Sequence, residues 1–204
     1  MKNNIVVILD RSGSMGTIKD DAIGGFNTFV EEQKKLGGNA SLTLVQFDDK
    51  YDLVYDDIPL DEVPLLDNNT FVPRGMTALY DAIGKTINKI SNRITNPCPA
   101  CNKYGSTENV VVAILTDGME NYSREFNQHN INEMISHQRD HHNWNFIFLA
   151  ANQDAFATGT KIGIRINDTF SWCATGMGTR SAYQDMSKSV ACYRTDIDPQ
   201  SNKK

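Results

Sequence analysis

Two apolar runs restrict the fold more than any other feature of this chain. NIVVIL (4–9) and the core of ENVVVAILTDG (108–118) have no apolar/polar alternation. A strand of that kind must be covered on both faces, which suits the middle of a parallel sheet. Each run also ends on a loop rich in side-chain oxygen, D10-R-S-G-S14 and T116-D-G118.

Strands and helices alternate around these runs. Ala22, Phe26, Phe29 and Val30 recur at helical spacing and predict a helix over 20–35, stopped by Gly37 and Gly38. SLTLVQF (41–47) alternates as a half-buried strand does, and turns through D48-D-K50 into YDLVYDDI (51–58), a predicted hairpin. Leu79, Ala82, Ile83, Ile87 and Ile90 share one side of a helix over 77–94. Beyond the most apolar strand come a helix around Ile131, Met134 and Ile135, the strand 145–151 and a short helix in 155–163. The strand 168–174 and a helix over 181–194, with Ala182, Met186, Val190 and Tyr193 in line, complete the series. This order predicts an α/β fold: a doubly wound, mostly parallel six-stranded sheet, one antiparallel edge strand, and helices on both faces. No repeat or linker divides it. One domain is expected over 1–196, with a Cys-containing insert at 95–107 and a polar tail at 197–204.

A length of 204 residues suits one well-buried core. The net charge of −5, with no basic run, argues against a nucleic-acid partner. No stretch reaches membrane-spanning length, and the apolar start is too short for a signal segment, so a cytoplasmic location is expected. Four cysteines then read as thiols or metal ligands rather than a disulfide framework.

In a doubly wound sheet, ligands sit at the carboxyl ends of the strands, where strand order reverses. Three loops are expected there: Asp10, Ser12 and Ser14 in the first, Thr77 in G75-M-T77, and Asp117 in the third. Two carboxylates and three hydroxyls make a hard, all-oxygen donor set. Mg²⁺ prefers such donors, with Mn²⁺ or Ca²⁺ as alternatives, and it keeps a position for water or an anionic ligand. Alone, DRSGS reads equally as a helix N-cap and TDG as a turn. The distribution over three loops in order carries the metal reading.

D-x-S-x-S after the first strand, Thr in G-M-T, and T-D-G after the fourth strand resemble the metal-ion-dependent adhesion site of von Willebrand factor type A domains. The resemblance spans roughly residues 3–195, and all five ligand positions match. It is closer to stand-alone bacterial and bacteriophage domains of this type than to secreted adhesion domains. The resemblance implies an intracellular adaptor or scaffold that binds protein, with the partner's Asp or Glu completing the metal's coordination. Thr77 would then bind the ion directly or through water, according to conformational state. Arg74, Met76, Met119, Glu120, Asn121 and Tyr122 flank the loops as candidates for the partner rim. Equally, Met76 and Met119 could pack the loop bases.

The alternative is a metal-assisted phosphohydrolase with Asp10 as nucleophile. Phosphatases resembling haloacid dehalogenases carry a second Asp two positions on, where this chain has Ser12, and no phosphate-cradling loop is present. The chain is therefore not expected to be an enzyme.

Cys98, Cys101, His137 and His141 form a C-x₂-C-x₃₅-H-x₃-H pattern that offers ligands for a second, structural Zn²⁺. Against it stands a plain solvated insert beside a His-rich helix end. His142, Trp144, Trp172, Cys173 and Cys192 read as core residues, with Cys192 as a substitute zinc ligand. Asp48, Asp49, Asp52, Asp56 and Asp57 read as a solvated edge that discourages strand pairing.

Overall fold

The structure is a computed structural model that describes residues 1–96, 108–151 and 154–195. Its strands are β1 (Lys2–Asp10), β2 (Ala40–Phe47), β3 (Tyr51–Pro59), β4 (Glu108–Thr116), β5 (Asn145–Ala151) and β6 (Thr169–Trp172). The helices are α1 (Lys19–Lys35), α2 (Leu79–Thr95), α3 (Gln128–His142), α4 (Ala155–Lys161) and α5 (Gly176–Thr195). The sheet order is β3-β2-β1-β4-β5-β6, with only the β2–β3 pair antiparallel. Strand order therefore reverses between β1 and β4, the two apolar runs, and both deliver their following loops to one edge.

Alternation within β1 divides the core. Ile5, Val7 and Leu9 face a layer closed by α1 and α5, where Phe26, Phe29, Met186 and Val190 pack. Val6 and Ile8 face the layer of α2 and α3, with Ile83, Ile87, Ile131 and Ile135. Helix ends follow local chemistry. Asp20 and Asp21 stand in the first turn of α1 and Lys34 and Lys35 in its last, each favourable to the helix dipole. Asn127 and Asn130 form a reciprocal capping box for α3, which ends on Asn143 at φ 55.

Four expectations change. β2 is buried along its whole length rather than on one face. Its polar side chains find partners inside: the Ser41 hydroxyl donates to Asp57 at 2.5 Å, and Gln46 Oε1 accepts from Arg11 at 3.4 Å. Helix α5 starts at Gly176, earlier than apolar spacing indicates, because Thr175 caps it: its carbonyl accepts from Thr179 N–H (2.8 Å) and its hydroxyl from Gly178 N–H (3.2 Å). Trp144 and Trp172 are buried as expected, but His142, Cys173 and Cys192 are exposed. The acidic hairpin is largely ion-paired. Asp56 meets Lys89 at 2.8 Å, Asp57 meets Lys2 at 2.6 Å, and Asp48 is fully buried. The β2–β3 register shifts on either side of Leu44, and Asp57, which takes φ 56, lies within that irregularity.

Candidate metal centre

Asp10 is the last residue of β1 and is wholly buried. Its Oδ1 accepts from Ser12 N–H at 2.6 Å, which folds the first loop back over the strand end. Its Oδ2 accepts from the Thr116 hydroxyl at 2.6 Å, tying the ends of β1 and β4. Ser14, exposed, donates to Asp117 Oδ1 at 2.7 Å, and its oxygen lies 3.2 Å from Ser12 Oγ. Thr77 precedes α2. Its Oγ1 would stand 3.3 Å from a Cβ at Gly118, and Ser14 Oγ 3.9 Å from the same point. Glycine thus leaves open the space onto which these hydroxyls face. All five sequence-predicted residues converge here, and Ser12, Thr77 and Asp117 are nearly buried.

Burial pushes the Asp10 carboxyl up to about 6, despite the Thr116 and Ser12 hydrogen bonds, and the Asp117 charge adds to the rise. Burial also raises Asp117. Two buried carboxylates that repel each other, ringed by hydroxyls, form an arrangement that a hard divalent cation would stabilise. The residues present therefore fit such an ion.

A network unforeseen in the sequence braces the first loop. Arg11, buried between the ligand positions, donates from Nε to Asp48 at 2.8 Å and also pairs with Asp52. Arg74 reaches the same Asp48 oxygen at 2.9 Å, so its guanidinium is committed to this network. Gly13 N–H donates to Gly75 O (3.2 Å) and Arg74 N–H to Arg11 O (2.8 Å), joining the first and second loops. Burial alone would raise Asp48, but Arg74, the Lys50 N–H and Arg11 hold it below the usual carboxylate range.

Among the rim candidates, Met76 and Met119 are exposed, and Tyr122 stacks under Arg124 at 4.6 Å. Neither methionine packs the base of its loop. Glu120 differs from the expectation. Its carboxylate turns inward and accepts from the N–H groups of Tyr80 (3.0 Å), Tyr122 (2.9 Å) and Ser123 (2.7 Å). It organises the third loop. Asp81 does likewise for the N–H groups of Arg124, Glu125 and Phe126.

The zinc pattern is only half within view. Cys98 and Cys101 lie outside the described residues. The His137 and His141 rings stack at 4.7 Å on the exposed end of α3, and His141 Nδ1 lies 3.2 Å from the His137 carbonyl. Among the described residues, no three His, Cys, Asp or Glu side chains gather to hold an ion.

Neither a protein-family model nor a curated protein matches the sequence. Solved structures do match. Proximal thread matrix protein 1 from the mussel byssus, in a form with a zinc-occupied MIDAS motif, is 16% identical with a TM-score of 0.62. The match covers 94% of this chain and 48% of that one. The PilB minor pilin of Streptococcus sanguinis is 11% identical (TM-score 0.59), covering 94% and 61%. The pilus adhesin SpaC of Lactobacillus rhamnosus GG is 13% identical (TM-score 0.62), covering 93% and 30%. The chain thus spans about half the length of the proteins it matches. Among the described residues no helix is long and apolar enough to cross a membrane. At these identities the likeness is one of fold, and the chain has the six-stranded doubly wound architecture that those matrix and pilus proteins contain.

Proposed function

We propose that this chain is a divalent-metal-dependent protein-binding module. Asp10, Ser12, Ser14, Thr77 and Asp117 would hold Mg²⁺, with Mn²⁺ or Ca²⁺ as substitutes. Bound there, the ion supplies an electrophilic position that an Asp or Glu of a protein partner completes. The observation that carries this reading is the convergence of the five oxygen-bearing residues around two mutually repelling, buried carboxylates. Exposed Met76 and Met119 supply soft apolar contact beside the ion. The mussel protein of similar fold, solved with a zinc-occupied MIDAS motif, supports the metal reading.

The hydrolase alternative lacks an acid/base partner: Ser12, not a second Asp, stands two positions after Asp10. An intracellular adaptor role is part of the proposal. A separate structural Zn²⁺ at Cys98, Cys101, His137 and His141 belongs to the same proposal. Metal analysis of the purified chain checks it: one zinc per chain, lost on Cys98→Ser with Cys101→Ser, is expected.

The main test is calorimetric titration of Mg²⁺ and Mn²⁺ into wild type, Thr77→Ala and Asp117→Ala, followed by capture of partner protein with and without Mg²⁺. Saturable binding by wild type that is weakened in both folded variants, with capture following the same order, is expected. Equal metal binding by all three chains would refute the assignment of the site.

A further inference from the structure

Helix α2 lacks a side-chain cap of its own: Ala78 occupies the capping position and makes no such bond. The first N–H groups of a helix need partners from elsewhere. The loop after β4 supplies them. Tyr80 N–H donates to Glu120 Oε2 at 3.0 Å and Asp81 N–H to Ser123 Oγ at 3.0 Å. In return, the Asp81 carboxylate holds the N–H groups of Arg124, Glu125 and Phe126. At the head of this seam is Asn121. Its Oδ1 accepts from Thr77 N–H at 2.9 Å, and its own N–H donates to Thr77 O at 3.0 Å. One residue therefore grips both backbone polar groups of Thr77, just before α2 begins.

We propose that Asn121 is the positioning residue for Thr77, making the second and third loops one unit that presents the Thr77 hydroxyl to the cation without rearrangement. This role rests on the metal reading of the same loops. It departs from the two-state behaviour that the resemblance implies for Thr77. A threonine fastened on both sides to the Asp117 loop has no independent movement toward or away from Asp117. Supporting residues of this kind orient ligands, and losing one costs roughly 10–100-fold in metal affinity.

The test compares wild type with Asn121→Leu, which keeps the size and removes the acceptor, and Asn121→Asp, which keeps an acceptor oxygen. Three quantities are read: Mn²⁺ affinity by electron paramagnetic resonance, hydrogen exchange of the Thr77 amide in metal-free protein, and the urea midpoint. Asn121→Leu leaves the Thr77 N–H without its acceptor, so a small drop in the midpoint is expected, with the variant still folded in the absence of urea. Should Asn121→Leu fail to fold, Asn121→Ala takes its place. Asn121→Leu is expected to weaken Mn²⁺ by about tenfold or more and to speed Thr77 exchange, with Asn121→Asp restoring both. Unchanged affinity and protection in Asn121→Leu would overturn the proposal, and so would an Asn121→Asp variant as impaired as Asn121→Leu. If wild type itself binds no Mn²⁺, the metal reading fails, and the role of Asn121 toward an ion fails with it.

Discussion

Replacing Asp48 with Asn tests whether the metal loops are held by buried charge. The Asp48 carboxylate is fully buried at the β2–β3 turn. It accepts from Arg11 Nε at 2.8 Å, Arg74 Nε at 2.9 Å and Lys50 N–H at 2.7 Å. Asparagine removes the charge and leaves Arg11, only 7% exposed, with Asp52 and Gln46 as its remaining partners. Breaking a buried ion pair costs about 3–5 kcal/mol, because the surviving charge is uncompensated. Asp52 still faces Arg11 but is partly exposed to water, so the lower end, about 3 kcal/mol, is expected. That is roughly two decades in the folding equilibrium. Urea denaturation of metal-free protein measures it. Adding Arg11→Met should recover much of the loss, since it removes the stranded cation. A cost below about 1 kcal/mol, or no recovery in the double variant, would show that water already relaxes this pair and would refute the reasoning.

Three further outcomes are expected. Gly25→Ala places a Cβ 2.1 Å from the Tyr183 ring, so α1 and α5 must part; a loss of about 1–3 kcal/mol in thermal unfolding is expected, and wild-type stability would contradict that close approach. Asp81→Ala strands three backbone N–H groups and should cost about 3 kcal/mol at neutral pH. Burial would raise the Asp81 carboxyl, but those three N–H groups hold it below its ordinary value of 3.8. Its contribution is therefore present above about pH 4 and lost as pH falls through the lower folded value. The stability gap between wild type and Asp81→Asn should narrow on acidification; a gap that widens would reverse the sign assigned here. Mg²⁺ at about one hundred times its dissociation constant should stabilise wild type by about 2.7 kcal/mol. A Thr77→Ala, Asp117→Ala double variant should lose that increment, and a surviving thermal shift would place the ion elsewhere.

The architecture was legible because its signals are local. Uninterrupted apolar runs marked β1 and β4, and helical spacing marked α1 and α2 within two residues of their ends. The loops that bring Asp10, Ser12, Ser14, Thr77 and Asp117 together were legible because they lie at or near the ends of β1, α2 and β4. What the sequence hid is long-range. Arg11, Asp48, Asp52 and Arg74 meet only once the hairpin folds beside the first loop, and no spacing announces four side chains so far apart. Glu120 looked like a surface residue because sequence cannot tell a carboxylate facing water from one facing backbone N–H groups. Cys173 follows the last residue of a short strand, and Cys192 falls on the outward side of α5. Residue type alone favoured burial for both, but position decided against it.

Neither border of the sheet offers a long, regular strand. On one side β3 is irregular in register, and its acidic residues are already engaged by Lys2, Lys89 and Arg93. On the other, β6 offers four residues. An incoming strand would find neither a straight template nor enough length to pair with. Edge-to-edge pairing of two sheets is therefore disfavoured.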